Sequence, residues 1–379
     1  MLLFAATVFA DVRQDAESAV SSLRQNVAAQ KFPDDMKSLD LVFEVAQRYF
    51  SNNKPESADK FYLLALQKSQ VIETMLKETE VELLPDVTGL PSSPDPKLLV
   101  EMDPEPDSDR IVGSKGIYTV VKADTVRLVS AKLGVTQQHL RRMNRMAAKA
   151  QLKVGQKLAY NNRKIIPQQI KDGIIINIPD RTLYYFQQGV LVTSLPVALG
   201  STTKNEKYIW QTPVGKFRVT GKVKDPTWTV PPSIQTEMEE HGKEVVTTVP
   251  PGPENPLGKY AIKTSLPGIM IHSTTRPSSI YSFSSHGCIR LSPSQMEDFF
   301  PQVKVNTRGE IIYKPVKLAV TGDGRVFLEV HHDAYKRSVN LVAEARQMVE
   351  KQKLSKLVDW EKFKSVVEQK SGVAEDITL

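Results

Sequence analysis

Apolar side chains recur every three or four positions through the first eighty residues of the chain. Between residues 15 and 80 they form two runs, 39–50 and 58–66, separated by Asn52, Asn53 and Pro55. This spacing is typical of amphipathic helices, and the proline and asparagines favour a break between them. The pattern therefore predicts an α-helical hairpin over residues 15–80.

The hairpin resembles a single tetratricopeptide repeat in the spacing of its small and aromatic residues, which are Ala46, Tyr49, Ala58, Tyr62 and Ala65. Repeats of that class bury their apolar faces by stacking, and the chain holds no convincing second copy. Two interpretations stay open: an amphipathic hairpin that packs on a neighbouring part of the chain, and a tetratricopeptide-like module that binds a protein partner or dimerises.

The ten residues at the start, MLLFAATVFA, are apolar, and Asp11 follows them. Val8 and Ala10 suit the small-residue positions of a signal-peptidase site, whereas the apolar stretch is short and has no basic residue before it. We expect residues 1–10 to act as an export signal, with a buried helix start as the alternative. No apolar run approaches the roughly 18 residues of a membrane-spanning helix, so we expect no transmembrane segment.

Charge is distributed unevenly along the chain. The whole chain has a net charge of +7, from 50 Lys and Arg against 43 Asp and Glu. Residues 81–110 combine six prolines with many acidic residues, which predicts an extended, self-repelling linker. Residues 111–164 contain twelve Lys and Arg against the single acid Asp124, a net of 12 − 1 = +11. The positive excess therefore lies in one cationic module, which attracts acidic polymers.

The cationic module shows a strand–helix–helix–strand pattern between residues 116 and 162. Residues 118–121 alternate like a strand, helical spacing stops at Gly134, and Thr136 caps a second helix before the closing strand. The stretch YTVVKADTVRLVSAKLGVTQQHLRRMNRM, followed by LKVGQKLAY, resembles a lysin motif domain. The resemblance implies a shallow groove for N-acetylglucosamine chains, formed by two loops with the positions Asp124, Thr125, Val126, Asn144, Gln151 and Leu152.

Other interpretations of this module stay open. Asp124 and Asn144 are also common turn residues without any ligand, and Ala123 stands where the family usually has glycine. Twelve cations would also suit nucleic acid. The acidic stem peptides of a bacterial wall attract the same charge, so we expect peptidoglycan, and no nucleic acid, as the partner.

Short β-type runs fill residues 172–315, punctuated by glycine and proline. Regular short strands with turn signals predict a β-rich, sandwich-like domain, with no helix of note before Ser294. Residues 316–379 add a strand pair with a turn at 322–324 and a charged helical tail over roughly 334–370. The predicted chain is therefore multidomain, with helices first, a small mixed domain next and a β-rich domain last.

The one cysteine, Cys288, lies within SSHGCIRL and excludes an internal disulfide and a cysteine-rich zinc site. A lone cysteine is more often a small buried apolar residue than a nucleophile. Here His286 and Gly287 precede it, and His272 lies sixteen residues upstream at the end of a β-type run. A thiol with a nearby imidazole is the pair that covalent acyl transfer requires, and no GxSxG, HExxH or P-loop motif competes.

This cysteine needs help to react, because a free thiol has a pKa of about 8.5. An imidazole either takes its proton or stabilises the thiolate. The backbone N–H groups of Gly287 and Cys288 are the natural donors to an oxyanion, with His286 shaping the turn. Arg290 suits a substrate carboxylate, and a salt bridge within the domain is its alternative role.

Residues 172–315 resemble the L,D-transpeptidase family of bacterial cell-wall enzymes. SSHGCIRL matches the signature of that family, and supporting blocks are PVALG, TPVGKF, DPTWTVPPSI and PGPENPLGKYAI. The resemblance implies that Cys288 attacks the third residue of a tetrapeptide stem, expels the terminal D-alanine and passes the acyl group to an amine, with His272 as the base. Ser273, where glycine is frequent, would orient His272, and the resemblance adds Ser285 and Tyr281 to the site.

The same resemblance implies that no metal or organic cofactor is needed, that carbapenems acylate the cysteine, and that the protein works in the periplasm or cell envelope. Three functions stay open. The first is a transpeptidase that makes 3-3 cross-links or attaches a lipoprotein acceptor. The second is hydrolytic use of the same site, as a carboxypeptidase or a lipoprotein-releasing amidase. The third is a non-catalytic scaffold that binds peptidoglycan, which an intact pair of Cys288 and His272 disfavours.

Overall fold

The computed structural model describes residues 3–27, 29, 33–53, individual positions between 55 and 76, 108–203 and 208–379. The chain divides into two compact units, residues 1–91 and residues 92–379. All but the last three residues of the predicted acidic linker, 81–110, lie outside the described residues. No helix in the described part of the chain is long and apolar enough to cross a membrane.

The first unit contains the helices α1 (Leu3–Gln25) and α2 (Pro33–Ser51). Their apolar faces share one core with helical residues between 55 and 76, formed by Ala16, Val20, Leu39, Phe43, Ala46, Ala58, Tyr62 and Ala65. Phe43 and Tyr62 meet edge to face, with 5.9 Å between ring centroids. The prediction of N-terminal helices is confirmed, and α1 starts before residue 15 because residues 3–10 are helical as well.

Residues 111–165 of the second unit are called the lysin motif domain below, after the resemblance of their sequence. Strands β2 (Lys115–Thr119) and β3 (Lys157–Asn161) pair antiparallel. Helices α3 (Val126–Leu133) and α4 (Gln137–Met143) lie between these strands in the sequence. Thr125 caps α3 by accepting the Leu128 amide, and Gly134 ends it in the left-handed region at φ 67°. A flanking pair joins β1 (Ile111–Val112) to β4 (Lys164–Ile165). These caps and strands reproduce the predicted order of elements.

The catalytic domain is arranged around an eight-stranded mixed sheet in the order β15-β13-β12-β9-β16-β5-β6-β7. Its strands are β5 (Gly173–Asn177), β6 (Thr182–Gln187), β7 (Val190–Pro196), β9 (Gly215–Lys224), β12 (Tyr260–Thr264), β13 (Met270–His272), β15 (Ile289–Arg290) and β16 (Arg308–Ile312). Every residue of β5 is buried, with Ile174 and Ile176 in one apolar cluster and Ile175 in another. Because an apolar cluster covers each face of β5, its isoleucines form a continuous apolar run.

Smaller elements complete this domain. Two strand pairs are β8 (Leu199–Gly200) with β14 (Phe283–Ser285), and β10 (Trp228–Thr229) with β11 (Thr248–Val249). Helix α6 (Pro293–Gln302) buries Met296 and Phe299 on the sheet. The expectation of no helix before Ser294 was wrong, since α5 (Pro232–Glu240) and a 3-10 turn (Pro277–Ser279) precede it. Helix α5 fully buries none of its residues, and its apolar side chains Ile234 and Met238 make only one pair at helical spacing, which is a weak periodic signal.

Residues 316–379 fold as a layer of sheet and helices. Strands β17 (Val316–Val320), β18 (Val326–Val330) and β19 (Glu375–Asp376) form a three-stranded sheet, covered by α7 (Leu341–Lys351) and α8 (Trp360–Gln369). The predicted single helical tail is therefore two helices, and Asp359 caps the second by accepting the amides of its first turn.

A segment of this C-terminal layer, residues 371–374, joins the lysin motif domain to the catalytic domain. Val373 is fully buried in the core of the lysin motif domain, and the Ala374 amide donates to the Arg163 carbonyl at 2.8 Å. Lys164 Nζ donates to the Tyr281 hydroxyl at 2.6 Å and to the Gly372 carbonyl at 3.3 Å. The two domains and the C-terminal layer thus share one buried junction.

Candidate active site

Two neighbouring strands carry the predicted catalytic residues. Strands β13 and β15 pair in parallel with His272 opposite Arg290. Because side chains alternate along a strand, Met270 and His272 share a face with Cys288 and Arg290. The Met270 amide donates to Cys288 Sγ at 3.4 Å, and all four residues line one cavity of about 1090 Å³. The fold therefore brings the thiol, the imidazole and a guanidinium to one opening.

The turn before Cys288 is held by hydrogen bonds to its backbone. Gly287 has φ 110°, a region that favours glycine, and its carbonyl accepts the Thr212 hydroxyl at 2.8 Å. Ser285 Oγ donates to the Cys288 carbonyl at 2.5 Å and accepts the Gly287 amide at 3.2 Å. Ser285 is 1% exposed, so it supports the turn from the protein interior.

These bonds change the expected set of oxyanion donors. The Gly287 N–H was expected to face the substrate, but Ser285 already occupies it. The Cys288 N–H has no acceptor within the described part of the chain. The arrangement therefore leaves Cys288, and not Gly287, with a backbone donor beside the sulfur.

His272 is a buried, neutral imidazole. Its Nδ1 lies 2.6 Å from the Ser273 carbonyl, so Nδ1 carries the proton and Nε2 carries the lone pair. Burial lowers the pKa of His272 to about 4, the charge of Arg290 adds to the effect, and the carbonyls of Ser273 and Leu257 oppose it. The Ser273 carbonyl therefore fixes the orientation of the ring, and the expected role of the serine side chain stays a prediction.

Cys288 is correspondingly a neutral thiol. Burial raises its pKa, while the Met270 amide and the charge of Arg290 oppose the rise. Its Sγ donates to the Gly268 carbonyl at 3.4 Å. Both members of the pair are therefore uncharged at neutral pH, and the imidazole is free to take a proton.

Arginines give the cavity a cationic wall. Arg290 Nε is buried and has no partner among the described residues, and its Nη1 donates to the Ser284 carbonyl at 3.3 Å. Burial lowers the pKa of Arg290, and the nearby charge of Arg276 adds to this effect. Arg276 lines the same cavity. Since no described carboxylate pairs with Arg290, the salt-bridge alternative is not supported and a carboxylate of the substrate fits here.

A flap formed by residues 228–249 covers part of this cavity. Its helix α5 presents Glu237, whose Oε2 lies 2.9 Å from His286 Nε2. His286 also packs edge-on against Trp210, with 4.3 Å between ring centroids. The bond from His286 lowers the pKa of Glu237. His286 therefore holds the flap, a role that its place beside Gly287 did not indicate.

Tyr281 does not lie in the cavity, contrary to the expectation that it binds substrate. Its φ is 62°, its hydroxyl accepts the Lys164 ammonium, and the Arg181 guanidinium stacks 4.2 Å from its ring. The residue is buried at the junction with the lysin motif domain. Tyr281 stands close to the signature block in the sequence, and its local sequence does not show whether it lies in the cavity or at the junction.

Three of the positions expected to bind glycan are engaged in contacts within the lysin motif fold. The Asp124 carboxylate is fully buried and accepts from Lys132, Tyr118 and the Val121 amide, and these donors outweigh burial and lower its pKa. Asn144 bonds to the backbone of residues 140 and 159 on both sides of its amide.

Val126, the third of these positions, belongs to the domain core. Thr125 and Gln151 are exposed and Leu152 is half-buried, so these three remain accessible at the loops. The turn-residue interpretation therefore fits Asp124 and Asn144.

A second polar cluster lies at the base of the junction. Asp180, Glu329 and His331 bring three ligand-type atoms within 4.8 Å of one another. Lys317 Nζ sits between them, 2.6 Å from Asp180 and 2.7 Å from Glu329. An ammonium thus occupies the position that a metal ion would need, and the cluster is a buried ion-pair network.

Comparison with known proteins identifies the families of the two domains. Residues 171–317 match the L,D-transpeptidase catalytic domain family, called YkuD, and residues 118–159 match the LysM domain. The chain is 31% identical to the probable L,D-transpeptidase YbiS of Escherichia coli over 229 residues, covering 60% of this chain and 73% of that protein. It is 32% identical to the probable L,D-transpeptidase ErfK/SrfK of Escherichia coli, with 60% and 72% covered.

Among solved structures, L,D-transpeptidase 3 from Mycobacterium tuberculosis aligns with a TM-score of 0.28 at 15% identity, covering 43% of this chain and 76% of that one. Domains of the two matched kinds are typical of cell-envelope enzymes. The chain belongs to the L,D-transpeptidase family, as the coverage of its curated relatives establishes. Its activity is that of an L,D-transpeptidase.

Proposed function

We propose that Cys288 is the nucleophile and His272 the base of an acyl transfer on peptidoglycan stem peptides. The observation that carries this proposal is the shared face of β13 and β15, which places a neutral thiol, a neutral imidazole and the Arg290 guanidinium in one cavity. A neutral pair of this kind can react without first separating charge in a buried site.

In the first step the Cys288 proton passes to His272 Nε2 while Sγ attacks the carbonyl carbon of the third stem residue. The carbonyl oxygen becomes an oxyanion, and the Cys288 N–H stabilises it. The amine of the terminal D-alanine takes the proton from His272 as the C–N bond breaks. The products are a thioester on Cys288 and free D-alanine. Arg290 holds a carboxylate of the donor stem during this step.

In the second step an amine attacks the thioester carbonyl and gives its proton to His272. The sulfur leaves as a thiolate and recovers the proton, so Cys288 and His272 return to their starting state. A second stem as the acceptor gives a 3-3 cross-link, and a lysine of a lipoprotein gives attachment of that protein. Water as the acceptor gives hydrolysis, which is the alternative function of the same residues.

We further propose that the lysin motif domain binds the glycan strands and that the protein is exported to the periplasm or cell envelope. Supporting this are the net charge of 12 − 1 = +11 over residues 111–164 and the acidic stems of the wall.

The helices of the first unit remain a candidate site for a protein partner, because their tetratricopeptide-like spacing is typical of such modules.

The test is incubation of the full chain with tetrapeptide stems, followed by mass analysis of the products. Cross-linked dimers lacking one D-alanine are expected. Cys288→Ala should abolish product, and His272→Gln should lower the rate by about 10²–10⁴-fold. His332→Gln is the matched control, since His332 lies outside the cavity.

Each other outcome of that experiment identifies a different function. Monomeric tripeptide alone would establish the hydrolytic alternative. Absence of any product, together with binding of the chain to sacculi in a separate pull-down, would favour the scaffold. Product formation by Cys288→Ala would overturn the mechanism. Intact-mass analysis after exposure to a carbapenem checks the thiol separately, with one adduct expected on Cys288 and none on Cys288→Ala.

A further inference from the structure

One face of helix α3 in the lysin motif domain packs against the catalytic domain. Arg127 Nε donates to the Ser278 carbonyl at 3.0 Å, near the start of the helix. One turn further along, Ala131 is 3% exposed in an apolar cluster with Ala198, Ile280 and Tyr281. The helix therefore contacts the catalytic domain at two successive turns and not only at one point.

The junction behind this helix resists hinge motion. Lys164 bonds to Tyr281 in the catalytic domain and to Gly372 in the C-terminal layer. Val373 completes the apolar core of the lysin motif domain. Relative domain motion is the usual expectation for small polar interfaces, but movement here would expose buried apolar and charged groups. The two domains therefore keep a fixed relative orientation.

The fixed orientation places a loop of the lysin motif domain beside the wall of the catalytic cavity. The loop before α3 contains Thr125, and Arg127 follows directly in the first turn of the helix. Arg127 contacts the 3-10 turn at Ser278, and that turn follows Arg276, which lines the cavity. A path of adjacent residues thus connects the exposed loop to the reacting cysteine.

This path is positively charged. Arg127 and Arg276 are both exposed, and Arg290 stands behind them inside the cavity. No described acidic residue forms an ion pair with any of the three. A stem peptide that carries carboxylates would be attracted along the path from the glycan loop to the cavity.

We propose that the lysin motif loop and the catalytic cavity bind one peptidoglycan strand at the same time, so that the enzyme prefers stems on polymeric glycan to free stem fragments. The inference rests on the proposed function of both sites. Once the glycan is bound, the stem meets the cavity at a high effective concentration and in a fixed register. Arg127 is a positioning residue in this arrangement, because it sets the place of the loop and does not touch the reacting atoms.

The experiment compares kcat/KM of the full chain on glycan strands bearing tetrapeptides with kcat/KM on soluble disaccharide-tetrapeptide. The wild-type chain should prefer the polymer by about tenfold or more. Ala131→Glu puts a charge into the α3 interface and should remove most of that preference. Its kcat/KM on the soluble fragment should stay within about twofold.

Gln138→Glu is the matched control, since it adds the same charge at an exposed position of the same domain. Arg127→Ala and Lys157→Ala form a second pair of variants. Arg127→Ala removes one cation at the interface, and Lys157→Ala removes one cation on the exposed surface of the same domain. Loss of preference in Arg127→Ala but not in Lys157→Ala supports a role of the interface over attraction by the net charge of the domain. A thermal melt of each variant shows whether the fold is kept, and a folded Ala131→Glu that retains the polymer preference overturns the inference.

The remaining outcomes are distinct. Equal activity of the wild-type chain on polymer and fragment overturns the shared-strand inference and leaves the proposed function intact. Absence of activity on both substrates instead overturns the proposed function itself.

Discussion

At the scale of single residues, the reacting pair is notable for being uncharged. Many cysteine nucleophiles are activated as thiolates by a neighbouring cation, which lowers the pKa of the thiol. Here burial raises the pKa of Cys288 and lowers that of His272, so an ion pair is unfavourable in the free enzyme. In the proposed mechanism, activation therefore coincides with attack, when the proton moves from the Cys288 sulfur to the His272 imidazole.

The neutral state of Cys288 and His272 predicts a specific pH dependence of the activity. The imidazole accepts a proton only when it is neutral, and the pKa of His272 is about 4. We expect kcat/KM on a soluble stem to stay level between about pH 5 and pH 8 and to fall on acidification, with a half-point near 4. An ordinary histidine would place that half-point near 6.5.

The measurement is a profile of kcat/KM against pH on the intact enzyme. Samples held at each acidic pH and returned to pH 7 should regain full activity, which separates titration from unfolding. An acidic half-point near 6.5 would contradict a buried neutral His272.

Residue identity alone predicted some of these roles and missed others. Cys288 and His272 stand in a specific signature, and the fold brings them to one cavity as expected. Asp124 and Asn144 were assigned to glycan although their polar atoms are satisfied within the domain. A short polar side chain in a loop has the same sequence signal whether it binds a ligand or the backbone, because both uses need the same hydrogen-bonding groups.

At the scale of secondary-structure elements, the flap over the cavity is the least anchored part of the site. Helix α5 buries no residue, and its described links to the rest of the domain include two carboxylates. Glu237 bonds to His286 at 2.9 Å, and Glu240 accepts the Tyr208 hydroxyl at 2.8 Å. Elements with few buried apolar contacts open at low free-energy cost, so these polar bonds set how often the flap lifts.

Weakening one of these bonds should expose the thiol. We expect Glu237→Ala to speed the alkylation of Cys288 by iodoacetamide about threefold, as loss of a partly exposed hydrogen bond worth under about 1 kcal/mol implies. The reaction is followed by intact mass at pH 7. Glu239→Ala, on the exposed side of the same helix, is the control and should react at the wild-type rate. Equal rates for both variants would show that Glu237 does not hold the flap.

Elements with strong periodicity and caps were predictable, and the flap was not. The helices of the lysin motif domain begin at Thr125 and Thr136, whose hydroxyls accept backbone amides of the first turn. Buried strands such as β5 appear as continuous apolar runs. Helix α5 has neither a side-chain cap nor a fully buried residue, and its one start signal is Pro232 in the first turn, which is equally common in loops.

At the scale of the whole molecule, the C-terminal layer joins the other domains of the second unit. Its segment 371–374 reaches the lysin motif core through Val373, and its Lys317 and Glu329 pair with Asp180 and His331 in the buried network. Sequence patterns identified strands and helices here but not their partners, because the contacts join residues far apart in the chain.

The free energy of unfolding should depend on the packing of this junction. We expect Val373→Ala to lower the free energy of unfolding by about 2 kcal/mol, because it leaves a cavity in a fully packed core. Val342→Ala, at a position 51% exposed, is the matched control and should change little. Urea unfolding followed by circular dichroism measures both. A loss for Val373→Ala no greater than the control would contradict the role of this segment in the lysin motif core.

The junction also bears on how the protein is made. Lys164 and Gly372, which bond directly, are separated by 208 positions in the sequence. Closing so long a loop is slow, and translation delivers residue 373 only after the whole catalytic domain has left the ribosome. The lysin motif domain therefore receives the Val373 side chain only after residues 171–317 have been made, so its apolar core is complete only in chains that already carry the catalytic domain.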